Sequence, residues 1–587
     1  MRSAQEWLHW LELGGGARWV RRGAILLGTA VLSLLVAWKQ FHGPETEATL
    51  LQADAGRQLA RGAGFTTLVN YPQTAAVLAA RGRRFDPAVP YPEIHHAPLY
   101  SLVIAGALAV LPEAALFSRP PVAPDGFAAD YVLLGLNVLL LWLAAALTYL
   151  LGKRLFSVRV GAVAALALLV SMPVWRQTVA VNGLPLPMVL ALAAFWLLAN
   201  IEQRAPAGRA PPVWFGALGA AGGLIFLAEY SAGAVALVFL GYAAWRFRGG
   251  ARWRALAAVA AGFALVAAPW CARNIALTGS PVGLAWQNAA LKAGDSTAEP
   301  ATVRATYSTA APELSLAKLG NKGLTSLQET VRTRLWADGG LLLTAFFVAG
   351  FLYRFRADEA NRLRWIFAAM LAAAATAQAF LGSGESEWPA AGWLAPLIMI
   401  FGAAFFFVLV DSNPRLAAWP RTAAAALLLA QAVPLLHDVL EPRRLHFFYP
   451  PYFPAVFMGL RGELEQRGAL GRFGAMADVP AGAAWYGRLR VWAQPAQLHD
   501  FYVIGTEQPV GIMLLTPHTL DRPFFSELAR GSAGKESLGE WAQVYTALAT
   551  KELPVEFPLV VQRRIDNDLI ALLNPALPPP RGSQRGK

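Results

Sequence analysis

The chain has 587 residues, of which 56% are hydrophobic and 15% charged, with 20 Trp and 31 Phe. Soluble domains carry about 25% charged residues, and here the deficit falls in apolar blocks of bilayer-crossing length, which excludes a soluble globular protein. The net charge of +13 does not point to nucleic acid, because it gathers in short Arg-rich loops between those blocks, the pattern that orients a membrane protein.

Arg18, Arg21 and Arg22 precede the first apolar run, 23–41, and no small-residue cleavage site follows it. It reads as a retained span with a cytoplasmic N-terminus. Eleven further apolar segments lie near 97–116, 129–151, 159–175, 183–201, 213–228, 231–246, 254–271, 336–354, 363–381, 391–410 and 420–437. The block 213–246 is too long for one crossing and is divided at Glu229-Tyr230. If the basic loops 152–159, 202–212, 246–254, 354–363 and 411–421 face the cytoplasm, the segments from 129 onward alternate. Both 43–96 and 117–128 then fall outside, so 97–116 is either re-entrant or miscounted. The expectation is a polytopic α-helical membrane protein of 11–13 transmembrane helices with its C-terminus outside. The single cysteine, Cys271, lies in a span and allows no intramolecular disulfide.

The polar residues concentrate in the non-cytoplasmic loops. In the first, 43–96, a weakly amphipathic helix starts near Glu45 and ends at Gly62 and Gly64, and such a helix would lie flat at the membrane interface. Glu47 and Asp54 are seven residues apart and share one of its faces, with Arg57 beyond them. The loop closes with YPEIHHAPLY, where His95 and His96 precede the helix that Pro98 starts and Tyr100 follows. A histidine pair there can donate to a phosphate or ligate a metal. The short loop VAVNGLPLPM, 179–188, opens another span. In APWCARNIALTGSPV, Arg273 and Asn274 stand at the outer end of span 254–271, where a guanidinium suits an anion such as a lipid phosphate. The second large loop, 272–335, carries Asn288 and an amphipathic helix near 314–335; Glu385 and Glu387 in SGESEW are candidates for acceptor or metal contacts.

From 443 the composition changes. Short apolar runs (GIMLLT, DLIALL) alternate with helical patterns at 455–467 and 538–549, which predicts a small extracytoplasmic α/β domain over 443–575 and a disordered end, 576–587. Asp478-Val479-Pro480 reads as a strand end feeding a helix.

Taken together, ETEATLLQADAGRQLARGAGFTT, HHAPLYSLVIAGAL and above all APWCARNIALTGSPVGLAWQNAALKAG resemble the GT-C superfamily of polyprenyl-phosphate-sugar-dependent glycosyltransferases, which includes protein O-mannosyltransferases and aminoarabinose transferases. The resemblance covers 23–294 well and the tail hardly at all. It implies a membrane enzyme of the bacterial-type inner membrane that moves a sugar from a polyprenyl-phosphate donor to a glycan, lipid or protein acceptor. The chemistry needs a carboxylate to take the acceptor proton and cations to stabilise the leaving phosphate. The family's spacing back from Gly62 reaches Ala48, so the catalytic acid is Glu47, one residue away, or Asp54, with Glu47 favoured. Glu45, Arg57, His95, His96, Tyr100, Arg273, Asn274 and Asn288 are then the expected substrate contacts. No cofactor is obligatory and a divalent metal is admitted, although the loop NGLPLP lacks the second acid that relatives often carry there. Two other readings use the same features. A lipid-linked saccharide transporter requires charged mid-span residues and repeated halves, which the sequence lacks; an inactive relative would use the tail as a binding module.

Overall fold

A computed structural model of the chain describes residues 15–44, 46–84, 86, 89–117, 127–204, 211–287, 290, 304–310, 315–382, 389–441, 454–516, 544, 557–566 and 569–580. Each of the twelve apolar segments is helical. Among the described residues, seven helices are long and apolar enough to cross a membrane, from α1 (Gly15–Gln40) to the helix at Pro420–Leu440, and the number rises to as many as nine if the bent pairs 158–179 and 316–352 each form one span. The chain is an integral membrane protein. The apolar block 213–246 breaks where expected: one helix ends at Ala228, Glu229 turns extended, and a new helix begins at Val235. Helices Pro212–Ala228 and Gly249–Thr278 pack backbone to backbone, because any Cβ on Gly219 or Gly262 would strike a main-chain carbonyl of the other helix.

The doubtful segment 97–116 resolves into the ten-residue helix Leu99–Leu108 and a separate turn at Glu113–Leu116. Ten helical residues span about 15 Å, half of a hydrocarbon core of about 30 Å. The helix Leu99–Leu108 is too short to cross on its own.

The basic loops meet at one end of the bundle. Arg154 donates to Asn200 and Gln203, Arg159 pairs with Asp411, and Arg246 and Arg362 both bond the buried Glu202. All five loops of the charge argument are tied together there.

The other polar segments gather elsewhere in one assembly, and the tail is part of it. Within the first loop, β1 (Thr66–Thr67) pairs antiparallel with β3 (Tyr91–Pro92), and a six-stranded sheet runs in the order β2-β5-β4-β6-β8-β7, with β2 at Val69–Asn70, β4 at Gly474–Ala477, β5 at Val491–Ala493, β6 at Val510–Leu515, β7 at Val561–Asp566 and β8 at Leu569–Leu573. Strand β2 comes from the first loop and pairs in parallel with β5. Side chains alternate across the sheet: Ala475, Ala477, Ile512 and Leu514 join the apolar cluster that continues through the bundle. Met476, Trp492, Met513 and Leu515 join a second cluster with Leu78, Tyr91, Ile94 and Leu284 of the two loops. The expected boundary at 443 therefore divides the chain but not the core. Residues 576–580, expected to be disordered, belong to the fold, where the Pro578 carbonyl accepts from Arg467. The expected helix at 538–549, the acids Glu385 and Glu387, and residues 581–587 lie outside the described residues.

Candidate functional site

The site is built on helix α2 (Glu47–Ala60), which Thr46 caps by accepting from the Thr49 amide and which ends before Gly62 at φ +78°. Rather than lying open at the interface, α2 is covered by the tail helix Pro480–Trp485 on one side and by Leu99–Leu108 on the other. Gly56 marks that second contact: a Cβ there would collide with Ile104 and the Ser101 carbonyl.

The two candidate acids of α2 differ completely in their surroundings. Asp54 is 0% exposed. One oxygen accepts from Arg57 and from Gln58, and the other from Thr67 Oγ1 at 3.0 Å and the Leu68 amide at 2.7 Å. Arg57 in turn donates to the Trp485 carbonyl at 3.0 Å and the Ala484 carbonyl at 2.8 Å, and sits over the rings of Phe117 and Trp485. Burial lowers its pKa against the opposing pull of Asp54. Arg57 thus fastens the tail to α2.

Glu47 is half-buried, and its Oε1 accepts from the Tyr71 hydroxyl at 2.6 Å. Burial and the Glu47 charge push the Tyr71 phenol well above its ordinary range, so it stays protonated and donates. Tyr71 directly follows β2 and opens helix α3 (Pro72–Ala80). Its ring meets His95 edge-on at 5.3 Å, and Arg304 lies over it at 5.1 Å. His95 Nε2 bonds Thr74 Oγ1 at 2.9 Å. The structure brings together Glu47, Tyr71, His95 and Arg304, all of them partly or wholly buried.

The remaining candidates support this group. Glu93 takes the amides of His95 at 2.7 Å and His96 at 3.1 Å, together with His96 Nδ1 at 3.1 Å. Burial would raise its carboxyl, but the bond and charge of His96 and the charges of His95 and Arg304 hold it well below the usual carboxylate range. Arg273 donates to the carbonyls of Phe65 at 3.0 Å and Glu93 at 3.1 Å between the rings of Phe65 and Trp270. Asn274 reaches the Pro281 carbonyl at 3.2 Å and the Tyr230 hydroxyl. Arg273 straps the 91–96 segment directly, and Asn274 acts on it through Tyr230, whose hydroxyl donates to the His96 carbonyl at 3.3 Å. Tyr100 is elsewhere: its hydroxyl lies 3.0 Å from Asn137 Oδ1 and 2.8 Å from the carbonyl of Val181, a β-branched residue at φ +61°. Glu45 and Asn288 lie outside the described residues. Among the described residues no three His, Cys, Asp or Glu side chains are placed to hold a metal, so no step is assigned to one.

Sequence reasoning missed Tyr71, Glu93 and Arg304. Tyr71 and Arg304 are 233 positions apart by number and carry no motif; the E-I-H-H spacing of Glu93 to the histidines was the one signal available.

No family model and no curated protein matches the sequence. Solved structures do match its fold. The archaeal oligosaccharyltransferase AglB from Archaeoglobus fulgidus, in complex with an inhibitory peptide and a dolichol-phosphate, aligns at a TM-score of 0.50 and 12% identity over 85% of this chain and 70% of its own. ArnT from Cupriavidus metallidurans bound to undecaprenyl phosphate aligns at 0.50 and 13% identity over 94% of this chain and 98% of its own. The chain shares the fold of these proteins.

Proposed function

We propose that this chain, which has the GT-C fold, is a membrane glycosyltransferase that moves a sugar from a polyprenyl-phosphate donor to an acceptor hydroxyl on the outer face of the membrane, with inversion and with Glu47 as general base. The observation that carries this reading is the contrast on α2: Asp54 is enclosed and saturated, whereas Glu47 is half-open and held by one neutral hydroxyl. The bound polyprenyl phosphates of the two structural neighbours support a lipid-linked donor.

In the reaction the acceptor oxygen bonds to the anomeric carbon as that carbon's bond to the phosphate oxygen breaks. Glu47 takes the hydroxyl proton, with Tyr71 fixing the orientation of its carboxylate. Arg304 and His95, both packed against the Tyr71 ring, meet the leaving phosphate. Glu93, Arg273 and Asn274 set the position of the histidine segment. Transfer from a polyprenyl-phosphate sugar of defined anomeric configuration, with the product read by NMR, tests the proposal. It expects the inverted anomer; a retained configuration, or no donor consumed with any extracted glycan, lipid or protein acceptor, contradicts it.

A further inference from the structure

Beside the site is a cleft of about 720 Å³ between α3 and the turn that follows the span Gly249–Thr278. A volume of this order suits a sugar-sized ligand. Its walls divide by chemistry. Val77 and Trp286 offer apolar and aromatic surface, Thr278, Ser280 and Gln287 offer hydrogen bonds, and Arg81 offers a cation. The exposed Arg81 guanidinium lies over Gly279, whose φ of +82° and missing side chain make room for it: a Cβ there would strike Arg81 Nη2. Among the described residues no carboxylate pairs with Arg81, and the exposed Arg83 and Arg84 add positive charge beside it. The inner wall is a buried hydrogen bond from Gln73 to Gln287. Gln73 adjoins Thr74, the partner of His95, so α3 separates the cleft from the Glu47 group by its own thickness.

We propose that this cleft is a distal acceptor subsite, which holds a hydroxyl-rich sugar unit carrying a phosphate or carboxylate one helix thickness away from the acceptor hydroxyl that reacts at Glu47. Trp286 supplies a face for the ring's C–H surface, the polar side chains meet its hydroxyls, and Arg81 pairs with the anion. The word acceptor rests on the glycosyl-transfer reading; the class of ligand rests on the cleft itself.

Binding without turnover keeps the two apart. The full-length protein in phosphatidylcholine nanodiscs, with undecaprenyl phosphate added to fill the donor site, is titrated with glucose 6-phosphate and with methyl glucoside by saturation-transfer NMR. Glucose 6-phosphate is expected to bind at least tenfold more tightly. Arg81→Ala should remove that preference, Arg81→Lys should keep part of it, and Trp286→Ala should weaken both ligands. Equal binding of the two probes, or an unchanged preference in Arg81→Ala, overturns the proposal. Competition by phosphatidylglycerol in the disc would identify a lipid headgroup as the source of the anionic polyol, and its absence a free glycan. If binding follows these expectations while no sugar is transferred, the glycosyl-transfer reading alone fails; transfer that is indifferent to Arg81 and Trp286 sinks the cleft alone.

Discussion

Asp54 accepts hydrogen bonds from Arg57, Gln58, Thr67 and the Leu68 amide, and no surface of it is open. Replacing it with Asn removes the charge opposite a buried guanidinium, and breaking a buried pair in this way costs about 3–5 kcal/mol. Asp54→Asn is therefore expected to lower the thermal unfolding midpoint sharply; a variant as stable as the parent would contradict the structural role. Glu93 gives a pH prediction. Its folded pKa is depressed, so its stabilisation is fully present above the unfolded value of about 4.3 and fades as pH falls through the folded value. The gap in unfolding temperature between the parent and Glu93→Gln should be largest at neutral pH and shrink below about pH 4; a constant gap would count against the carboxylate's role. Much of this was legible in part. The helix carrying both acids, its capped start and its glycine end follow from local rules, as does the proximity of Glu93 to the two histidine amides. Which acid is buried does not follow, because Asp54 is enclosed by Thr67 and Leu68 and, through Arg57, by residues more than 400 positions away.

At the scale of elements, the decisive pairing is β2 with β5. Two residues of the first loop, Val69 and Asn70, form the edge strand of the tail sheet, and Tyr71 follows immediately. The tail thereby sets where the partner of Glu47 stands. Arg57→Ala would free the Trp485 and Ala484 carbonyls and remove the guanidinium between two rings. Hydrogen exchange should then quicken in both β2 and 480–485, far apart in sequence, and unchanged protection in either segment would contradict the coupling. The tail's strands at 510–515 and 569–573 and its helix at 454–466 were readable from apolar runs and helical periodicity. The partner strand was not: two residues between turns carry no periodic signal, and parallel pairing leaves no hairpin in the sequence.

At the scale of the molecule, the apolar segments, three of which form helices of only 10–17 residues, make a bundle whose basic loops converge at one end. The charge pattern made that grouping visible, since loops that share a membrane face must alternate with the spans between them. The bent pairs at 158–179 and 316–352 were not visible as such, because apolar composition records length and not direction. The account as a whole rests on Glu47 being the base at the site that the first loop, the second loop and the tail build together. Release of polyprenyl phosphate by the purified protein in nanodiscs, measured with and without acceptor for the parent and Glu47→Gln, tests it most directly. The account predicts acceptor-dependent release by the parent and a fall of at least about a hundredfold in Glu47→Gln, with the unfolding midpoint unchanged. Parent-like release by a folded Glu47→Gln protein would contradict it.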